Sequence, residues 1–447
     1  MDAYARALGR LAGLVRFGVI PGLERIAAVM EALGNPEAAV PALHVAGTNG
    51  KGSTAAMAAA LLGAAGKRVG LYTSPHLCRV TERIRIGDEE IGRERFAALL
   101  DRVLAAPGGD RLTFFEALTA IAFLYFSEEE VEAAVIEVGL GGRLDATNLC
   151  HPFATVITSI GLDHTEVLGS TTRAIAVEKA GIVKDGVPLF VARCDRDARS
   201  AIEARARAHR APVMFVEQEF GPDAMDLMTG KPAWPALGLP GAHQLGNSVL
   251  ALMAVMHAPD VAWSQVRGWK EALANVRWPG RLERFDEVIL DCAHNPDGAA
   301  ALAAALPDVV TYPVTLLCGV LADKDAAGVL APLLPLVARV VCTRPPSPRA
   351  RPASELAALA SRLAPSLAVL VEEDPTAALA LARWMPEEKA NKLRVGQPGA
   401  AEKANKLRVG RVVCCGSIVL VGAVRALLTG EAVDPILVGD PAASVTG

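Results

Sequence analysis

From His44 to Thr54 the sequence reads His-Val-Ala-Gly-Thr-Asn-Gly-Lys-Gly-Ser-Thr, and an alanine-rich stretch, Ala55–Ala65, follows at once. An apolar run that breaks at glycine and resumes as helix predicts a strand, a tight turn and a helix in succession, the opening of a βαβ unit. Glycines at 47, 50 and 52 let successive backbone N–H groups turn toward one anion. The new helix adds its positive N-terminal end, and Lys51 supplies a cation for β- and γ-phosphates. The spacing is G-x-x-G-K-G-S rather than the common G-x-x-x-x-G-K-[ST]. A glycine turn with no ligand is the alternative, but glycine, lysine and hydroxyl coincide here between strand and helix as a phosphate loop requires.

The same alternation continues. Strands are predicted at Leu43–Ala46, Arg68–Tyr72, Ala133–Val138, Thr155–Ser159 and Pro188–Ala192, with helices at Ala55–Ala65, Arg93–Ala106 and Phe115–Phe126. Parallel βαβ units and a doubly wound α/β sheet follow. After an irregular Gly-, Pro- and Trp-containing stretch at Gln218–Pro240 and a helix at Leu245–His257, the segment Trp278-Pro279-Gly280-Arg281 reads as a hinge. Beyond it the pattern repeats from Glu287–Asp291 to Ile418–Leu428, as in a smaller Rossmann-like α/β domain. The expected division is 1–280 and 281–447. Within the second part, Glu388–Gly396 returns word for word as Glu402–Gly410. A single echo is too short for a solenoid, so 388–410 reads as a duplicated surface insertion.

Composition narrows the class. The chain is 52% apolar, yet no uncharged apolar run approaches the roughly 20 residues of a membrane span. Met1 and Asp2 are followed by Arg, Ala and Leu at helical spacing, without the marks of a secretory signal, so a cytoplasmic location is expected. A net charge of −4 supplies no basic stripe for nucleic acid. The eight cysteines lack C-x-x-C spacing and read as buried thiols.

Chemistry-bearing residues gather after the predicted strands. Ile136-Glu137-Val138-Gly139 ends a strand on a carboxylate, the place where a doubly wound sheet faces its ligand. Glu137 suits Mg²⁺ beside phosphates; an ion pair at a strand end is the alternative. Ser159–Gly169 places Asp163 and His164 after another strand, in reach of a metal or phosphate role. Lys179, late in an amphipathic helix, reads by itself as a solvated lysine.

These segments occur in one order with Tyr72-Thr73-Ser74-Pro75-His76-Leu77, Glu82-Arg83-Ile84, Thr113-Phe114-Phe115-Glu116, Glu137 to Asn148, Glu178-Lys179-Ala180-Gly181, Pro279-Gly280-Arg281-Leu282-Glu283 and Asp291-Cys292-Ala293-His294-Asn295-Pro296. In that order, from about Leu23 to Leu428, they resemble the folylpolyglutamate synthase and dihydrofolate synthase family, of the bifunctional bacterial type, relatives of the Mur amide ligases. Cys292 departs from the usual Asp-Gly-Ala.

The resemblance implies a P-loop ATPase-like domain followed by a smaller ligase domain that contacts glutamate and ATP. Thr48, Asn49, Gly50, Lys51, Gly52 and Ser53 would wrap the ATP phosphates, with Asn247, Arg281, Asp291 and His294 completing the nucleotide site. Ser74, Glu137 and His164 match the Mg²⁺ ligands, and Lys179 the lysine carried as a carbamate. Gly18, Val19, Ile20 and Pro21, Thr113 to Glu116, and Leu144, Asp145 and Ala146 match the pteridine pocket; Phe114 and Phe115 can be a ring wall or an ordinary core pair. The implied reaction has a dihydropteroate carboxylate, or a reduced folate's γ-carboxylate, attack ATP to give an acyl phosphate that L-glutamate captures. Lys51 and Arg281 would neutralise the moving phosphoryl group. A monomer acting on small molecules is expected. A nucleotide switch is the rival, disfavoured because it has no need of the Ser-Pro-His-Leu and Thr-Phe-Phe-Glu segments; a Mur-type ligase for a uridine nucleotide shares the chemistry.

Overall fold

A computed structural model describes residues 2–15, 20–216, 235–261, 268–384 and 410–435. It divides into two compact units. The first takes in the described residues up to Leu239 and His243–Arg277, and the second Pro240–Ala242 and Trp278 onward.

The first unit is built on eight strands: β1 (Pro41–Ala46), β2 (Val69–Tyr72), β3 (Ile84–Ile86), β4 (Glu89–Glu90), β5 (Ala133–Glu137), β6 (His151–Ile157), β7 (Leu189–Ala192) and β8 (Val213–Val216). Their order in the sheet is β4-β3-β2-β5-β1-β6-β7-β8. From β2 to β8 across the sheet every pairing is parallel, while β3 and β4 add an antiparallel edge. β1 and β5 are apolar and buried almost throughout because helices cover both faces. The helix Lys51–Ala64 needs its alanines. It lies against both the sheet and the helix His243–Val255, so small side chains are wanted nearly all round. The hairpin edge, missed in the sequence pattern because its strands are so short, carries the ion pair Arg79–Glu90 at 2.9 Å, which blunts a free edge.

β5 and β6 flank β1, with Glu137 opposite Val45 and Ile157 opposite Ala46. The chain leaves β1 toward β2 on one side and continues from β6 to β7 on the other, so their C-terminal ends form a topological switch point.

The second unit has β9 (Glu283–Phe285), β10 (Val288–Leu290), β11 (Val310–Cys318), β12 (Arg339–Cys342), β13 (Ala368–Val371) and β14 (Gly410–Cys415). The order is β13-β12-β11-β14-β10-β9, parallel except for β9 against β10. Leu302, Leu306, Leu316, Val340, Leu356 and Val413 anchor its core, and Cys318, Cys342 and Cys415 pack there as small apolar groups. Two mainly parallel α/β sheets are thus what the alternation predicts. The repeat falls outside the described residues apart from Gly410. No helix among the described residues is long and apolar enough to cross a membrane.

Candidate functional site

The turn after β1 is pinned from below. A Cβ on Gly47 would lie 1.9 Å from Thr158 Oγ1, so only glycine fits. Thr158 Oγ1 donates to the Asn49 carbonyl at 2.6 Å, Ser159 Oγ accepts the Asn49 N–H at 2.8 Å, and Thr48 N donates to the Ser159 carbonyl at 2.9 Å. Thr48 Oγ1 exchanges hydrogen bonds with both backbone groups of Gly161 at 3.1 Å. Its hydroxyl therefore fastens the loop to the segment after β6, a use its motif position does not announce. Gly50 has φ +87°, and a Cβ there would meet Asn247 Oδ1 at 2.7 Å. It begins the helix Lys51–Ala64 with no side-chain cap, which leaves first-turn N–H groups for an anion.

Asn247 is tied to this turn indirectly. Its amide donates to Gln244 Oε1 at 2.9 Å, and Gln244 donates to Ser53 Oγ at 3.4 Å. Gln244, fully buried against the phosphate-loop serine, was not legible beforehand. Its only signal is its position three residues before Asn247.

Two lysines meet at one carbonyl. Lys51 Nζ donates to Gly47 O at 3.1 Å and to Thr48 O at 3.2 Å, and Lys179 Nζ donates to Gly47 O at 2.8 Å. The solvated place that helix spacing suggests for Lys179 is wrong: the residue is only 4% exposed. It ends the helix Thr172–Lys179, whose last carbonyls lie so near Gly142 that a Cβ there would come within 2.9 Å of them. Burial first, and then the Lys51 charge, lower the Lys179 pKa to about 7, against the pull of Asp163 and Asp145.

Glu137 ends β5 as a buried carboxylate, and its Oε2 accepts the Ser74 N–H at 3.1 Å. Ser74 and Glu137 thus stand together at the mouth of the switch point, and a hydroxyl with a carboxylate is a donor set fitted to a hard cation. His164 also follows β6, but in a left-handed conformation at φ +50° with its side chain 47% exposed and Nε2 3.9 Å from Asp163.

The residues matched to a pteridine pocket divide. Thr113 and Glu116 cap each other: Thr113 Oγ1 accepts Glu116 N–H at 3.2 Å, and Glu116 Oε2 accepts Thr113 N–H at 2.7 Å. The T-x-x-E spacing is the signature of such a box. Arg25 then pairs with Glu116 at 3.0 Å and reaches the Ile20 carbonyl, tying Ile20 to this helix start. Phe114 is buried beneath Arg83, whereas the half-buried Phe115 covers Gly139, where a Cβ would lie 2.5 Å from its ring. Asp145 turns inward, accepting Leu140 N–H at 2.8 Å, so Leu144, at 36% exposure, is what that turn shows outward. Ala146 is buried and Pro21 exposed; Gly18 and Val19 lie outside the described residues.

Arg281, Asp291 and His294 belong to the second unit. Asp291 accepts Leu282 N–H at 3.0 Å and Ala293 N–H at 2.9 Å, bracketing Arg281, whose Nη1 donates to Gly280 O at 3.1 Å. His294 Nδ1 lies 2.8 Å from the Cys292 carbonyl. The Cys292 thiol, pushed up to about 12 by burial, stays protonated.

Comparison with known proteins gives the same outline. Residues 45–255 match the Mur ligase middle domain and 280–390 the Mur ligase glutamate ligase domain. A dihydrofolate synthase/folylpolyglutamate synthase of Bacillus subtilis is 38% identical over 327 residues, 68% of this chain and 76% of that protein. A crystal structure of Mycobacterium tuberculosis folylpolyglutamate synthase with ADP and AMPPCP superposes with a TM-score of 0.81 at 32% identity, covering 96% of this chain and 100% of that one. The bifunctional folylpolyglutamate synthase/dihydrofolate synthase of Yersinia pestis, complexed with AMPPNP and a Mn ion, gives a TM-score of 0.75 at 31% identity, over 92% and 94% of the two chains.

Proposed function

Because the chain belongs to the dihydrofolate synthase/folylpolyglutamate synthase family, we propose that it is an ATP-dependent ligase that joins L-glutamate to dihydropteroate, to the γ-carboxylate of reduced folates, or to both. The observation that carries this reading is the meeting of Lys51 and Lys179 on the Gly47 carbonyl, at the edge where Glu137 also ends its strand.

A carboxylate acylates poorly because its oxygen leaves poorly. Attack of that oxygen on the γ-phosphorus of ATP forms the new P–O bond as the bond to ADP breaks, and gives an acyl phosphate. The amine of glutamate then attacks the acyl carbon, phosphate leaves, and the amine loses its proton. Backbone N–H groups of the uncapped helix start, Gly50–Ser53, hold the phosphates, and Lys51 swings from its carbonyls onto the moving phosphoryl group, where fixed positive charge lowers the barrier. Ser74, Glu137 and His164 are assigned to Mg²⁺, which neutralises phosphate charge when bound. Lys179 is assigned as a carbamate, and its lowered pKa supports this, since only a neutral amine adds to CO₂. Asn247 contacts the nucleotide, and Arg281, Asp291 and His294 keep the nucleotide role that the family pattern implies. Phe115 and Leu144 form the pteridine wall. The enzyme works in the cytoplasm as a monomer.

A substrate matrix tests the reading: dihydropteroate, tetrahydrofolate and a UDP-sugar peptide, each with ATP, Mg²⁺ and its amino acid, with products read by mass. Addition of one glutamate residue to either pteroate substrate is expected. ADP release with the UDP-sugar peptide alone, or with no acceptor at all, overturns it.

A further inference from the structure

His44 lies in the middle of β1, fully buried behind the phosphate loop. Its Nε2 is 2.9 Å from Thr147 Oγ1, and the Thr147 hydroxyl in turn donates to Asp145 Oδ1. Because the threonine proton is committed to the carboxylate, Nε2 must carry the hydrogen and donate it. The chain of donors therefore runs one way, from imidazole to hydroxyl to carboxylate. Nδ1, the bare nitrogen, is buried with no hydrogen-bond partner among the described residues. Burial and then the Lys184 charge hold the ring neutral, with a pKa of about 3, and the contact with Thr147 selects the tautomer.

Asp145 spends both oxygens on its own turn. Oδ1 also accepts the Thr147 N–H at 3.0 Å, and Oδ2 takes the Leu140 N–H at 2.8 Å, so its orientation decides the path of the segment that presents Leu144. A protonated acid or a rotated carboxylate would release one end of that turn.

We propose that His44 is a positioning residue for the pteroate substrate, acting through Thr147 to fix Asp145 and the turn that carries Leu144. The inference rests on the reading of Leu144 as part of the pteridine wall. An ordinary core histidine would satisfy a nitrogen and do nothing more. The relay differs in ending on a loop of the candidate site.

The test compares His44→Phe and Thr147→Val, which remove the donors at similar volume, with His44→Gln and Thr147→Ser, which keep them. Each loss variant should raise KM for dihydropteroate about 10-fold, on the scale of one hydrogen bond, with KM for ATP and kcat little changed. The double variant should be no worse than either single one, and the donor-keeping variants should restore most of the affinity. A fall in Tm with unchanged KM, or an equal rise in both KM values, overturns the relay. Should His44→Phe not fold, the Thr147 pair decides alone. Leu144→Asp, on an exposed side chain, separates the premise: if it leaves the dihydropteroate KM unchanged, the wall assignment falls and the relay's substrate role with it. If it raises KM while the His44 and Thr147 variants stay silent, only the relay falls.

Discussion

At the end of β1 the helix Lys51–Ala64 starts from Gly50, which has no side chain to cap it, while at the end of β10 the helix Pro296–Val309 starts from Asn295, whose Oδ1 accepts the Gly298 N–H at 2.8 Å. The first loop carries a lysine and no acid in its helix's opening turn; the second carries Asp291 before the helix and Asp297 within its first turn. Pro296 removes one more donor there. Both are parallel strands running into helices in α/β units, yet the first helix start has no side-chain cap and the second is capped by its own asparagine. A helix start is readied for phosphate by what it omits as much as by what it holds.

Removing the cation from the open junction should break the contrast most. Lys51→Ala is expected to lower turnover by about 100-fold or more, on the scale of one lost stabilising donor, and to leave Tm almost unchanged because Nζ contacts only loop carbonyls. Near-normal turnover would remove the phosphates from this turn.

Lys179 sharpens the same junction. Lys179→Ala should cost roughly 10-fold or more in turnover. Addition of the amine to CO₂ releases one proton, so the ¹³C carbamate signal from labelled bicarbonate should grow from about pH 6 to about pH 8 as the amine deprotonates. In the unmodified protein the sign is the same. Below the folded pKa of about 7 the buried charge destabilises in full, and stability rises toward the unfolded value of 10.5, where both states are neutral. A carbamate signal absent from active enzyme rules the modification out, and one that stays flat over this range overturns the lowered amine pKa.

At the closed junction the expected effect is on stability. Asn295→Ala should cost about 1 kcal/mol, seen as a drop in Tm that Asn295→Asp largely recovers. An unchanged Tm would mean the cap does not hold that helix start. Smallest of all is deletion of Glu388–Ala401, one copy of the repeat. Loop closure depends weakly on length, so Tm and turnover should both stay close to those of the full chain; a large loss in either would mean the segment packs or binds.

Local residue types made much of this legible. The glycine loop shows itself because Gly47 and Gly50 allow backbone that other residues resist, and Lys51 stands beside them. The strands are visible as short apolar runs because both faces of a parallel sheet are covered. Thr113 and Glu116 were legible too, but as partners of each other: the four-residue spacing is a capping signature before it is a pocket. Phe114 and Phe115 look alike in sequence and part company only when one is buried under Arg83 and the other is laid on Gly139.

What sequence alone determined, then, is the succession of elements and the chemistry of their ends, since periodicity and turn residues act over a few positions. What only tertiary structure decided is which distant groups share an atom. Lys179 sits on a helix whose spacing points it to water, yet the approach of that helix's end to Gly142 carries its ammonium to a carbonyl 132 residues away. His44 reads as one more strand residue until the turn between β5 and β6 sets Thr147 over it. Burial and hydrogen bonding between such partners depend on how strands are ordered in the sheet, and that order is fixed by packing over the whole unit rather than by any local run of residues.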